Sequence, residues 1–189
     1  MKTLRLGIFV LIALAQLSVP AMMAWGRVQT LTRGRIWKLK TAPVDPEDVV
    51  RGRYVALSFD AENAYHQPEQ LKSIDSVYAI LKEGPDGFAT VDHLSFSAEP
   101  GDSAIKIEPG GFWDNQQRIM FPFRYFWLTE KNAPAAETAY RQNSKRGQQN
   151  AFVTVRVRNG DAALEQLYID NQPLAEYLHA QAEKKPATP

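Results

Sequence analysis

The chain has 189 residues, 44% of them hydrophobic and 23% charged, with 22 Lys and Arg against 21 Asp and Glu and 0 Cys. A net charge of +1 gives no bulk electrostatic reason to bind nucleic acid or an acidic polymer. Without thiols, disulfides, thiolate catalysis and cysteine-ligated zinc are excluded together.

From the N-terminus, Leu6 to Trp25 forms about 20 residues without a charge, the length a helix needs to cross a hydrocarbon core about 30 Å thick. Gln16, Ser18 and Pro20 weaken its second half. Lys2 and Arg5 before a core of Leu6 to Leu17 also suit a signal peptide cut near Val19-Pro20-Ala21, but proline beside the cut is unfavourable and Met22 to Trp25 prolong the apolar run. The favoured reading is a retained single-pass anchor, residues 1–28, in contact with the lipid bilayer. Arg27, Arg33, Arg35, Lys38 and Lys40 follow it, and a count of nearby basic residues would hold that side in the cytoplasm. Against that count, Lys2 and Arg5 next to a short tail give the usual signal-anchor arrangement, and Arg35, Lys38 and Lys40 alternate with apolar residues as a strand would place them. The domain that follows, residues 29–180, is expected to be extracytoplasmic, with one core in about 150 residues.

Beyond the anchor, apolar residues recur with a period of two. In Arg35 to Thr41, Trp37 and Leu39 oppose Ile36, Lys38 and Lys40. Next comes an acidic, proline-stiffened turn: Asp45 can accept from backbone N–H groups after it, Pro46 sets φ for a helical turn, and Gly52 lets the chain swing into Arg53 to Phe59. In that strand Val55, Leu57 and Phe59 share one face. Ala61 to Gln70 reads as a polar connection. Ser73 to Lys82 carries Ile74, Tyr78 and Ile80 on one face and Val77, Ala79 and Leu81 on the other, so both faces are expected to be covered. Gly84 to Gly87 turns the chain into a returning strand, Phe88 to Ser97. After a turn at Glu99 to Asp102, Ala104 to Glu108 is a short strand broken by Pro109-Gly110-Gly111.

Arg118 to Leu128 is the most aromatic stretch, with Phe121, Phe123, Tyr125 and Trp127 on one strand face and Met120, Phe126 and Leu128 opposite. Pro122 removes a ladder donor and marks an edge or a bulge. Asn132 to Gln142 reads as a helix, with Ala136, Ala139 and Tyr140 on one side and Glu137 one turn before Arg141. After a polar stretch at Ser144 to Asn150, Phe152 to Arg158 alternates Val153, Val155 and Val157 against Thr154, Arg156 and Arg158. Asn159-Gly160 predicts a two-residue hairpin into Leu164 to Ile169. Leu174, Tyr177 and Leu178 predict a last short helix before a disordered tail, residues 181–189. The fold class is therefore mainly β (α+β): a transmembrane helix, then a compact antiparallel β-rich domain with one or two short helices.

The residues Pro43, Asp45, Pro46, Asp48, Arg51, Gly52, Tyr54 and Leu57 resemble the signature of the GDYXXLXY family of membrane-anchored bacterial proteins. Arg53 stands where that signature has Asp, and Phe59 where it has its last Tyr. The resemblance extends to Arg124 to Glu130 and Phe152 to Leu174, and so to most of the chain beyond the anchor. It implies a bacterial inner-membrane protein with no assigned enzymatic activity, acting with a multi-spanning membrane protein; no cofactor and no metal is expected.

Each candidate site has a plain structural reading beside it. Asp45, Glu47 and Asp48 can attract a cation or share a proton, or they can simply cap a helical turn, and the cap is favoured. Arg51 with Tyr54 can hold an anion, or Arg51 can pair with Asp45 or Asp48, as is favoured. Tyr125 and Trp127, with Phe121 and Phe123, form a docking surface if their face stays exposed and a core strand if it does not. The candidate interaction residues are Asp45, Asp48, Arg51, Gly52, Tyr54, Phe123, Tyr125 and Trp127. His66, His93 and His179 lack zinc-motif spacing. The competing function is a membrane-bound hydrolase with the layout of a signal peptidase, using Ser58, Ser73 or Ser76 with a buried Lys72 or Lys82. No serine here stands in the Ser-Met-x-Pro setting of that family, and Gly-x-Ser-x-Gly is missing too.

Overall fold

The computed structural model describes residues 2–42, 54–63, 77–96, 101–113, 116–130, 132–144 and 150–184. Its first element, α1 (Lys2–Arg33), runs past the expected boundary at residue 28 and continues through Pro20. Its apolar stretch reaches a mean hydropathy of 2.1 and is not covered by the rest of the chain, so α1 is long and apolar enough to cross a membrane. The last turns of α1 meet the domain: Thr30 is buried, and the Gly34 N–H donates to the Thr30 carbonyl at 2.9 Å. Gly34 alone separates this helix from β1 (Arg35–Ala42).

In β1, Trp37 and Leu39 are buried while Ile36 and Lys38 face solvent, as the alternation predicts. One edge of β1 pairs antiparallel with β9 (Ala151–Arg158), from Arg35 opposite Val157 to Lys40 opposite Phe152. The other edge meets β3 (Ser58–Phe59), with Thr41 opposite Phe59 and Ala42 opposite Ser58. β9 turns into β10 (Asp161–Ile169), which carries β11 (Gln172–Pro173), giving the order β11-β10-β9-β1-β3. The two-residue turn needs positive φ at both positions, and Asn159 (51°) and Gly160 (86°) supply it.

A second antiparallel sheet, in the order β5-β4-β6-β7, comprises β4 (Val77–Glu83), β5 (Ala89–Ser95), β6 (Ala104–Trp113) and β7 (Gln116–Met120). The Gly84 to Gly87 turn is closed by the Gly84 N–H on the Phe88 carbonyl at 2.8 Å. In β4, Val77, Ala79 and Leu81 are buried but Tyr78 and Ile80 only half so, which corrects the expectation that both faces are covered. Pro109-Gly110-Gly111 does not end β6 either. The register against β7 slips between Pro109 and Phe112 and the strand continues to Trp113, because a bulge accommodates a residue without a ladder donor. A parallel bridge between Ile105 and Gly160, with the Lys106 N–H on the Gly160 carbonyl at 2.9 Å, joins this sheet to the β9–β10 hairpin.

The strand expected over Arg53 to Phe59 is divided at Leu57. β2 (Tyr54–Ala56) pairs with β8 (Tyr125–Trp127) in a two-stranded ribbon, while β3 joins β1. Val55, Leu57 and Phe59 still share the core. The aromatic stretch is divided as well, at Pro122: Phe121 and Phe123 turn inward, stack at 5.3 Å, and pack on Phe59 at 5.8 and 5.5 Å. α2 (Ala133–Asn143) forms where expected and buries Ala133, Ala136, Ala139 and Tyr140. α3 (Leu174–Lys184) docks through Leu174, Tyr177 and Leu178 and holds residues 181–184 of the expected tail in a helix; residues 185–189 lie outside the described residues.

Candidate functional site

The β2–β8 ribbon brings three of the expected contact residues side by side. Its register sets Tyr54 opposite Trp127 and Ala56 opposite Tyr125. Side chains alternate across a strand, so these four share one face and Val55 and Phe126 the other. Val55 is buried and Phe126 packs partly against the core, which holds the ribbon down. On the outer face, the Tyr54 ring meets Tyr125 edge-on at 4.6 Å and Trp127 at 5.3 Å, the geometry that ring quadrupoles favour. Tyr125 is 49% exposed and Trp127 68%. Two large rings thus stand in water beside a half-buried Tyr54.

Phe123 is not part of this surface. It was expected to share a face with Tyr125 and Trp127, but it is 8% exposed and lies in the core. The residues between Met120 and Tyr125 leave the ladder around Pro122, so counting by twos across the break assigns the wrong side. Asp45, Asp48, Arg51 and Gly52 lie outside the described residues; Tyr54 follows them closely in the chain.

Arg124 and Glu62 escaped the sequence reading of the site. The Arg124 carbonyl accepts the Leu57 N–H at 2.8 Å, extending the ribbon, and its buried Nε has no hydrogen-bond partner among the described residues. Glu62 sits on a short 3₁₀ turn (Asp60–Asn63) inside the expected polar connection, yet it is 4% exposed. Its carboxylate accepts the Phe59 N–H at 3.2 Å and the Phe121 N–H at 2.9 Å. It thus ties the end of β3 to the aromatic segment leading toward β8. Arg124 was visible as the first residue of the motif at Arg124 to Glu130, whereas nothing around Glu62 signals burial.

Topology fixes where the ribbon stands. β3 pairs with the last residues of β1, and β2 precedes β3, so the ribbon lies at the end of β1 remote from α1. The eight residues of β1 span about 26 Å. Near that end, the Tyr140 hydroxyl donates to the Ala42 carbonyl at 3.1 Å, and burial pushes its pKa up to about 12.

Of the groups considered for catalysis, those among the described residues are not assembled. Ser58 is half-buried on β3, whereas Lys82 is exposed on β4, in the other sheet, 3.7 Å from Asp92. Lys72, Ser73, Ser76 and His66 lie outside the described residues. His93 is exposed beside Asp92 at 2.9 Å, and His179 is exposed on α3. Among the described residues no group of three or more His, Asp and Glu converges as a metal site would. An open hollow of about 360 Å³ is lined by Lys40, Asp60, Asp86, Phe88 and Thr90 among others. There Lys40 Nζ donates to Asp86 at 2.7 Å and holds that carboxyl below its ordinary pKa, so the two charges satisfy each other.

A family model described as GDYXXLXY protein matches residues 16–167, from within α1 to β10. No curated protein and no solved structure matches the chain.

Proposed function

The chain belongs to the GDYXXLXY family, and from that premise we propose that it is an interaction module held in a bacterial inner membrane by α1, with its domain on the extracytoplasmic side. It works by contact, and its partner is a multi-spanning membrane protein. The observation that carries this reading is the pair Tyr125 and Trp127, exposed beside a half-buried Tyr54 on a ribbon that the core holds in place. The ribbon stands about 26 Å along β1 from the helix, whereas the headgroup layer reaches only roughly 5 to 8 Å beyond the hydrocarbon. The cluster therefore meets the part of the partner that projects from the bilayer, not the lipid. The hydrolase reading has less support, since the described Ser58 and Lys82 lie on different sheets.

Reporter fusions at the C-terminus, one active only outside the cytoplasm and one only inside, test the orientation. Co-purification from detergent of the wild type, Trp127→Ala and Arg51→Ala tests the contact. Loss of the multi-spanning partner from Trp127→Ala with the fold intact is the expected result. Unchanged recovery from that variant, or turnover of a substrate through an organised nucleophile, would end this reading.

A further inference from the structure

The end of the domain nearest α1 has a different chemistry from the ribbon. Along α1, Trp25 is 67% exposed at the close of the uncharged stretch, and exposed Arg27 and Arg33 follow it. At about 1.5 Å per residue, Arg27 stands about 3 Å and Arg33 about 12 Å beyond Trp25. The sheet brings in a third guanidinium at an intermediate height: Arg158, at the base of the β9–β10 hairpin, donates from Nη1 to Gln29 Oε1 at 3.0 Å. This bond, the burial of Thr30 and the close fit of Gly34 fix the hairpin beside the helix.

The neighbouring charges decide which cations remain available. Arg35 lies 4.0 Å from Glu83, and Arg156 Nε donates to Glu165 at 2.8 Å, so both have acidic partners. Asp161 stands at the foot of the hairpin opposite Arg158. Arg27 and Arg33 have no acidic partner among the described residues. A tryptophan at the hydrocarbon boundary with arginines just above it matches the layering of a bilayer surface, where the indole sits at headgroup level and long cationic side chains reach phosphates.

We infer that Trp25, Arg27, Arg33 and Arg158 form a collar that seats the domain on anionic phospholipid headgroups. This rests on α1 being a retained anchor. The collar also gives the basic residues after the span a role that does not depend on which side of the membrane the domain occupies.

The test presents the full chain, purified in neutral detergent, with phosphatidylglycerol or phosphatidylcholine in mixed micelles and counts bound lipid by native mass spectrometry. Phosphatidylglycerol is retained in preference, and the preference weakens as salt rises. It falls about fivefold in Arg27→Gln and about 25-fold in the Arg27→Gln, Arg33→Gln double variant, and it survives in Arg27→Lys. Both arginines are exposed on a formed helix, so an unchanged melting profile shows that lost lipid is not lost fold. Equal retention of the two lipids, an unchanged preference in the double variant, or displacement by an equal concentration of inorganic phosphate overturns the collar. Recovery from cells of a freely soluble chain lacking its first two dozen residues overturns the anchor instead, so the two failures are distinct.

Discussion

Replacing Glu62 tests how the ribbon is held. Its two carboxylate oxygens accept the N–H groups of Phe59 and Phe121, where β3 ends and the aromatic segment begins, and the side chain is 4% exposed. Glu62→Ala leaves two buried donors without an acceptor. At about 1.5 to 3 kcal/mol for each hydrogen bond to a charged group, the expected loss is about 3 to 6 kcal/mol, a large share of the roughly 5 to 15 kcal/mol that holds a domain together. Glu62→Gln keeps one oxygen but turns an amide N–H₂ toward the second donor, so it loses about half as much. Thermal unfolding of the full chain in detergent, followed by far-ultraviolet circular dichroism, reads both variants. For a domain of this size the alanine variant melts about 8 to 15 °C lower, with the glutamine variant between it and the wild type. An alanine variant within about 1 kcal/mol of the wild type would refute the reasoning, because the two donors would then not depend on this carboxylate.

At the junction of helix and sheet, a Cβ added at Gly34 would lie 2.5 Å from the Thr30 carbonyl oxygen and 3.0 Å from that of Val157. Both are backbone atoms that cannot move aside alone, so Gly34→Ala costs about 1 to 3 kcal/mol and opens the junction to limited proteolysis, which a protease time course detects. The Tyr140 pKa of about 12 lies above its ordinary 10.0, so the folded state holds the phenolic proton more tightly than the unfolded state does. Its stabilisation is complete below pH 10 and is lost as the pH rises toward 12, a change of about 3 kcal/mol that the difference between wild-type and Tyr140→Phe urea titrations isolates. Trp127→Ala changes domain stability by about 1 kcal/mol or less, since the side chain is 68% exposed and its ring contacts among the described residues are with Tyr54 and Tyr125. The same variant weakens partner recovery about 30-fold, as truncating a central aromatic anchor does.

Local patterns carried the fold furthest where one interaction decides the geometry. Asn159-Gly160 needs two positive φ angles, and the hairpin follows from that pair alone. The buried faces of β1 and β9 follow from alternation through Trp37 and Leu39 and through Val153, Val155 and Val157, although Phe152 and Thr154 on the other face of β9 are buried too. Alternation fails where the chain changes partners. Nothing in Tyr54 to Phe59 announces that β2 joins β8 while β3 joins β1, because both pieces keep one apolar face and the choice is made by distant segments. The same limit misplaced Phe123, since Pro122 was visible but the side to which the chain resumes was not. Tyr125 and Trp127 were found because the aromatic stretch is conspicuous, and Tyr54 because it belongs to the signature from Pro43 to Leu57. Their grouping on one ribbon depended on a register between residues far apart in sequence.

The one-residue passage from α1 into β1 has a mechanical consequence. With no room for a Cβ at Gly34 between two carbonyls and with Arg158 bonded to Gln29, the helix and the first strand are tied together as a lever arm. Transmembrane helices tilt by about 20° on average, and a change of half that amount would sweep the tip of a 26 Å strand sideways by roughly 5 Å. With α1 held in a bilayer as proposed, a change of bilayer thickness, or a neighbouring helix pressing on α1, would thereby re-aim the three rings at the tip without altering a single bond in the domain.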